Sequence, residues 1–531
     1  MQHPLDINPL RDFRYTPLVF DMVFALDMPC GARGDFNHID RPEAEYRYNK
    51  CIIAKQRSVP ICSRGRLVRC IKIRKRIQIM ENKFIRLADL PPDPTNPEAL
   101  AHYRDLGMNV CLLTEDQVKL VSDGTVSPAY QKAIQNIADS GMQVWIRNMF
   151  NDPDYFESEG KADGSNYGWH YEMEPRHITD EFRKNPAVSG FYMADEAYMY
   201  QLPERVNIDW MRSDSYKFAS FDQLTKLVDW KNRYYPDAFF HMNHVPGTSW
   251  DHYLPRDGKI YSYEDFLTEY ANVILKRLTG CGRSLCLDNY PLIGENYLEK
   301  EYLFDLMTAA KVTRAYNASA APEDQATFGI CLQTFEAKSM FDDRKRDITM
   351  PEEVTLQMYV GMALGARLFE YFCYRSYEHE FFGILDPDGN DRIYGHVKTA
   401  GDRAAKLEPI LSQYDSIGGF MVPGSLYSFN TAAMVMARDL FCQPYEIGVQ
   451  GQYDTLVGCF TGEKEKGYML VNYTDPIRKC TSIVTLNTGD ITRLRLYQDG
   501  KETLLQPENG QITVTLEPGD AAFVVWSANA E

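Results

Sequence analysis

Residues 84–113 read FIRLADLPPDPTNPEALAHYRDLGMNVCLL, and this stretch decides the fold. The apolar run at 84–87 predicts a strand, and residues 97–106 predict a helix that ends at Gly107, a residue type common just after helices. A second apolar run, at 109–113, predicts the next strand. A strand, a helix and a strand at this spacing indicate a parallel β/α unit.

The same alternation continues along the chain. Six more apolar runs follow at intervals of about 25 to 50 residues, separated by helical patterns, at residues 143–147, 188–193, 239–243, 285–288, 328–333 and 366–372. Eight such strands predict an α/β fold, a (β/α)8 TIM barrel over residues 80–420. The alternative is an open doubly wound sheet, which would normally carry a glycine-rich phosphate loop after a strand, and the sequence has no such loop.

After about residue 424 the pattern changes to short strands separated by turns. The pair Asp499-Gly500 predicts a hairpin. The predicted strands cover residues 468–473, 482–486, 493–497, 512–516 and 522–526. We therefore predict a C-terminal antiparallel β-sandwich over residues 424–531 that packs against the barrel and supports it.

Residues 1–79 differ from the rest of the chain. They hold 15 Lys and Arg against 8 Asp and Glu, and residues 55–76 hold nine basic and no acidic side chains. Neither helical nor strand periodicity continues for long there. One interpretation is a basic arm that binds a polyanion. The interpretation that we favour is that this segment is not native or is poorly ordered, with translation starting at Met80.

Composition excludes several classes of partner. A net charge of −17 argues against nucleic acid and anionic membranes, and no apolar run is long enough to span a bilayer. The N-terminus has no secretory signal pattern. The twelve cysteines lack metal-ligand spacing and fall partly within predicted strands, so we expect reduced core residues of a cytoplasmic protein.

Polar residues collect where the predicted strands end, which is where the active site of a (β/α)8 barrel lies. Glycosidic cleavage needs a proton donor and a second negative group, and two carboxylates on different strands supply both. Amides and tyrosines would then hold the sugar hydroxyls. The candidates are Asp195, Glu196, Asn243, Asp288, Tyr290, Gln333, Glu336, Glu370 and Tyr371. Successive residues alternate along a strand, so either Glu370 or Tyr371 must face the helices.

Residues 185–196, NPAVSGFYMADE, resemble the strand-four segment of bacterial barrel glycoside hydrolases, in which NPAV and then GF lead into an acidic pair. Asp288-Asn289-Tyr290-Pro291, Gln333 and residues 365–372 are similar to the same group, as are residues 383–389. The resemblance covers most of residues 84–415. It is to clan A glycoside hydrolases, the class that includes β-galactosidases, and to no single characterised family.

The resemblance implies roles for particular residues. In clan A an Asn-Glu pair ends strand four, its Glu is the general acid/base, and a Glu on strand seven is the nucleophile. Glu196 would then be the acid/base, with Asp195 in place of the Asn. Strand seven carries Gln333 where the nucleophile is expected, and Glu336 follows three residues later.

A second family pattern competes with the first. Barrel hexosaminidases also end strand four in Asp-Glu, and there the Asp orients a substrate 2-acetamido group that acts as the nucleophile. Asp195 would have that role here, and no carboxylate on strand seven would be needed. Glu196 is the acid in both mechanisms, and both stay open.

Together these patterns predict a bacterial glycoside hydrolase, retaining in mechanism, that acts on an oligosaccharide or glycoside. We expect carbohydrate as the partner and no cofactor, and we make no prediction of oligomeric state. A non-catalytic carbohydrate-binding barrel is the alternative. A lyase or isomerase would call for a metal cluster or a lysine base, and the sequence shows no His, Asp and Glu cluster at metal-ligand spacing.

Overall fold

The structure is a computed structural model. It describes residues 84–114, 121–122, 125–126, 128–147, 185, 187–194, 221–244, 246–247, 262–293, 296–297, 300–337, 347–376, 381–428 and 447–527. Residues 1–79, Asp195 and Glu196 lie outside these ranges, so the predictions made for them stay predictions.

Eight parallel strands form one nearly closed barrel sheet, which confirms the predicted barrel. In chain order they are β1 Ile85–Ala88, β2 Val110–Thr114, β3 Gln143–Arg147, β4 Val188–Ala194, β5 Phe239–His244, β6 Arg283–Asp288, β7 Ala326–Gln333 and β8 Leu368–Phe372. Ladders join β2 to β3 and each later strand to the next, and β1 pairs with β8.

Helices lie between the strands and after the last of them. Those in the described ranges are α1 Pro97–Asp105, α2 Pro128–Asp139, α3 Phe221–Tyr234, α4 Tyr263–Val273, α5 Lys300–Asn317, α6 Pro351–Ala363 and α7 Tyr394–Leu411. Asn96 caps α1 by accepting from two backbone N–H groups. None of the described helices has the length and apolar character needed to cross a membrane.

Side chains close the seam between β1 and β2, which share no ladder among the described pairings. Asn109 donates from Nδ2 to Phe84 O (2.7 Å) and accepts at Oδ1 from Arg86 N (3.0 Å). The Tyr103 hydroxyl accepts from Ala88 N (2.7 Å) and donates to Val110 O (3.2 Å). These bonds replace the backbone ladder that buried strand edges otherwise need.

Alternation along each strand separates the barrel interior from the helix layer. One buried cluster fills the interior and is made of Ile85, Leu87, Val110, Leu112, Trp145, Tyr192, Phe239, Cys286 and Leu368. The residues between them belong to the cluster shared with the helices. Side chains alternate with a period of two along a strand. The residues two positions beyond the interior set therefore also point inward, nearer the mouth of the barrel.

The C-terminal region is antiparallel, as predicted. A six-stranded sheet and a three-stranded sheet enclose a separate apolar core. The strands are β9 Asp415–Val422, β10 Gly448–Gly451, β11 Thr455–Thr461, β12 Glu465–Asn472, β13 Ser482–Asn487, β14 Leu494–Gln498, β15 Lys501–Leu505, β16 Gln511–Leu516 and β17 Ala521–Ser527. The first of these starts before residue 424, and the domain boundaries themselves stay a prediction.

Helix α6 joins the two regions. Every residue from Glu353 to Ala363 is buried, because the helix contacts β7 of the barrel on one side and β11 and β12 of the C-terminal sheet on the other. A helix that is covered on all sides is mostly apolar, and the buried polar side chains of α6, among them Glu353 and Gln357, are hydrogen-bonded.

Candidate active site

A chain of polar side chains crosses the middle of the barrel interior. His241 on β5 lies 2.8 Å from Ser284 Oγ through Nδ1 and 3.0 Å from Glu370 Oε2 through Nε2. All three side chains have no solvent exposure. The order Ser, His, carboxylate is that of a hydrolytic triad, but a triad sealed from solvent cannot meet a substrate. The bonds satisfy polar groups that the barrel buries.

Glu370 was expected to bind substrate, and the structure places it elsewhere. Its carboxylate faces the interior from the middle of β8, with 0% exposure. The ring of Tyr192 lies 4.7 Å and that of Trp145 lies 5.5 Å from the His241 ring with which Glu370 pairs. Glu370 is therefore a core residue below the mouth, and its contact with substrate stays a prediction.

The same region contains one cluster of metal-ligand type within the described residues. The ligand atoms of His241, Cys286 and Glu370 all lie within 4.8 Å of one another. An ion there would have to displace the bond between His241 and Glu370 in an interior closed to solvent. We assign no metal to this cluster, since binding also needs an entry path.

At the mouth, Asp288 is the last residue of β6 and pairs in register with Cys331 of β7. It points inward, because Cys286, two residues earlier, belongs to the interior cluster. Its exposure is 9%, whereas Glu370 has none. Asp288 was predicted from its place at a strand end, and the structure puts it on the inner face of the rim.

Tyr290 lies beside Asp288. Its hydroxyl is 3.7 Å from Cys331 Sγ. Burial, and after it the negative charge of Asp288, raises the pKa of Tyr290 well above its usual range. The phenol is therefore protonated and available as a hydrogen-bond donor beside the carboxylate.

Gln333 was expected to bind substrate, but its side chain is already used. Its Oε1 accepts from Leu292 N (2.8 Å) and its Nε2 donates to Leu292 O (3.4 Å). Gln357 of α6 in turn holds the Gln333 backbone. Its Oε1 accepts from Gln333 N (2.8 Å) and its Nε2 donates to Gln333 O (3.2 Å). Gln333 therefore anchors the segment after β6, and its contact with substrate stays a prediction.

Glu336 lies beyond the barrel ladder. Its backbone pairs with Phe382 in a short antiparallel strand pair, and its side chain is half-buried. Just before it, Phe335 is the centre of an aromatic cluster, with ring centroids 4.8 to 5.3 Å from those of its partners Tyr290, Phe372 and Phe381. The peptide bond from Phe372 to Cys373 is cis.

Asn243 on β5 belongs to a second polar group at the mouth. Its Nδ2 donates to Tyr192 OH (2.7 Å), and its Oδ1 has no hydrogen-bond partner within the described ranges. The Arg147 guanidinium forms an ion pair with Asp89. Its central carbon lies 4.4 Å from the centroid of the Tyr192 ring. This arrangement places an amide, a phenol and a cation side by side, which suits a ligand rich in hydroxyl groups.

Asp89, Arg147, Tyr192 and His241 were not among the predicted site residues. Asp89 directly follows β1 and Arg147 ends β3, so the position rule that identified Asp288 could have found both. His241 and Tyr192 lie inside strands, and nothing in the pattern marks them as polar interior residues.

Tyr371 points away from the mouth. It is buried in the helix-facing cluster, and its hydroxyl lies 3.6 Å from Met358 Sδ of α6. The choice between Glu370 and Tyr371 is thereby settled in favour of Glu370 for the interior face. Tyr371 packs against α6, and its contact with substrate stays a prediction.

Neither a family model nor a curated protein matches this sequence. Among solved structures, the chain is similar to Gan42B, a GH42 β-galactosidase, with 9% identity and a TM-score of 0.53 over 84% of this chain and 100% of that one. A catalytic mutant of the same enzyme from G. stearothermophilus gives 9% identity and a TM-score of 0.55 over 84% and 98%. The resemblance to clan A glycoside hydrolases is thereby confirmed at the level of the fold.

Proposed function

We propose that this chain is a glycoside hydrolase with Glu196 as its general acid/base. The observation that carries the proposal is the mouth of the barrel, where Asp288, Tyr290 and Asn243 gather at the ends of neighbouring strands. A buried carboxylate with a tyrosine beside it, next to amide and phenol groups, suits the oxocarbenium-like transition state of glycosidic cleavage. The fold shared with a GH42 β-galactosidase agrees with this function.

The substrate is an oligosaccharide or glycoside, and the two mechanisms stay distinct proposals. One uses a carboxylate of the protein as the nucleophile. The other uses a 2-acetamido group of the substrate, oriented by Asp195. Turnover of plain hexosides supports the first, and turnover confined to 2-acetamido sugars supports the second.

We also propose that the protein works in a reducing, cytoplasmic environment. The described cysteines are free, and six of the seven are buried. Structural disulfides are typical of oxidising compartments. Residues 80–420 as the catalytic barrel and 424–531 as its supporting domain complete the proposal, with residues 1–79 outside the working enzyme.

The test is turnover of aryl glycosides by the wild type and by Glu196→Gln, with Glu502→Gln as the matched control on an exposed strand. We expect kcat/KM of Glu196→Gln to fall by roughly 10²- to 10⁴-fold on phenyl glycosides. The loss should be smaller for dinitrophenyl glycosides, because a good leaving group needs less protonation. Glu502→Gln should match the wild type.

Two outcomes would contradict the proposal. Equal activity of Glu196→Gln and the wild type on phenyl glycosides would remove Glu196 from the acid role. Sugar binding without turnover, with the same affinity in Glu196→Gln, would indicate a carbohydrate-binding barrel instead.

A further inference from the structure

Four carboxylates lie at or near the mouth side of the described strands, and two of them are already engaged. Glu370 pairs with His241 and is closed to solvent. Asp89 forms an ion pair with Arg147 and accepts from Leu90 N at 2.7 Å. The charge of Asp89 is thus already balanced by a cation of the protein.

The third carboxylate, Glu336, lacks a rigid support in the barrel. The β7 ladder ends at Gln333, and Glu336 belongs to the separate two-residue pairing with Phe382. Sites built on the strands of a scaffold hold reacting groups more accurately than sites on its loops. Glu336 is also half-buried, so water screens its charge more than that of an interior group.

The fourth, Asp288, is held through its backbone and the segment that follows it. The backbone is in the β6 ladder opposite Cys331, and the phenol of Tyr290 lies beside the carboxylate. The segment that follows is fixed twice, by Gln333 at Leu292 and by Asn289 Nδ2, which donates to Asp305 Oδ2 at 3.1 Å. Such support preorganises a reacting group before substrate arrives.

We propose that Asp288, rather than Glu336, is the catalytic nucleophile, with Tyr290 as its positioning residue. This inference rests on the proposed function. A carboxylate oxygen of Asp288 forms a bond to the anomeric carbon as the glycosidic C–O bond breaks. The bonding pair leaves with the aglycone oxygen, which takes a proton from Glu196. Water then attacks the anomeric carbon and gives a proton to Glu196, and Asp288 leaves as a carboxylate.

The first experiment labels the wild type and so avoids any folding defect of a variant. An activated 2-deoxy-2-fluoro glycoside, of the plain hexose that the enzyme turns over best, should inactivate it by accumulating the glycosyl ester. Peptide mass spectrometry locates the sugar, and we expect it on Asp288. A label on Glu336 or any other carboxylate, or turnover of the parent hexoside with no ester trapped, overturns the inference.

The second experiment compares Asp288→Ala with the matched variant Glu336→Ala, both with and without sodium azide. We expect Asp288→Ala to lose roughly 10⁴-fold or more in kcat/KM. Azide should restore turnover and yield a glycosyl azide of inverted anomeric configuration, since it occupies the space of the missing carboxylate. Azide rescue in Glu336→Ala, or wild-type turnover by Asp288→Ala, overturns the inference.

Tyr290→Phe tests the positioning role through the pH profile. Loss of the hydroxyl removes a hydrogen-bond donor that favours the charged carboxylate. The acid limb of kcat/KM should therefore move to higher pH, which a purely structural defect would not cause. An unmoved limb removes Tyr290 from this role.

Failure of the inference is distinguishable from failure of the proposed function. Turnover confined to 2-acetamido glycosides overturns the assignment of Asp288 as the nucleophile but leaves the proposed glycoside hydrolase function intact. No turnover of any glycoside by the wild type overturns both.

Discussion

His244 is a buried imidazole that faces the helix layer from the end of β5. Its ring meets that of Tyr270 edge-on, with centroids 4.2 Å apart. Burial, and secondarily the nearby His241, lowers the pKa of His244 to about 3. In the unfolded chain the same group would titrate near its usual value of about 6.5.

This difference predicts a loss of stability in acid. Below pH 6.5 the unfolded chain takes up a proton that the folded chain refuses until about pH 3, so the free energy of unfolding falls as pH falls. Between pH 6.5 and 5 the loss from this group should be about 2 kcal/mol. Urea unfolding of the wild type and His244→Gln at both pH values measures it.

Single residues also show how far sequence reasoning reached. Asp288 was identifiable because the order of the strands and the alternation of side chains along them show which residue ends a strand and faces inward. The same alternation showed that Glu370 and Tyr371 face opposite sides of the sheet. Which of the two faces inward depended on the strand register. Gln333 was assigned to substrate because it ends a predicted strand. Its bonds to the backbone of Leu292 are a contact between distant segments that no local pattern encodes.

At the scale of elements, the seam between β1 and β2 depends on Tyr103 of α1. Tyr103→Phe would leave the N–H of Ala88 and the carbonyl of Val110 without this partner. We expect a loss of about 1 to 3 kcal/mol in the free energy of unfolding, measured by urea titration. The matched control is Tyr302→Phe, because the buried Tyr302 hydroxyl has no hydrogen-bond partner in the described part of the chain. Equal losses in the two variants would contradict the role of the seam.

Elements were the most predictable level. The turn at Asp499-Gly500 has positive φ at both residues, 51° and 75°, as the hairpin signal required. The strand at 143–147 was predicted with its observed bounds. Ends moved by a few residues elsewhere, as at β7, because neighbouring ladders extend a strand beyond its apolar run.

At the scale of the whole molecule, α6 meets the C-terminal sheet at Gly458 of β11. A side chain there would collide with the carbonyl oxygen of Ala363. Gly458→Ala should therefore force the sheet away from α6 and destabilise the protein by about 1 to 3 kcal/mol. Thermal unfolding measures the loss. Gly395→Ala is the control, because nothing lies within 4 Å of the added methyl group. A stable Gly458→Ala variant would show that α6 does not couple the two regions.

The order of the elements predicted the barrel, the β region and their packing against each other, but not which element lies at the contact. Helix α6 is mostly apolar, which is equally typical of any buried helix. Only the folded chain shows that one side of it covers β7 and the other covers β11 and β12.

The ladder between β1 and β8 has a consequence for how the chain is made. Ile85 pairs with Leu368, so 283 residues separate the two positions along the chain. At about 5 to 20 residues per second, a ribosome needs roughly 15 to 60 s to deliver the partner of β1 after β1 itself has been synthesised. During that time the first strand of the barrel has an open edge, and this nascent chain is a natural client for chaperones that shield such edges.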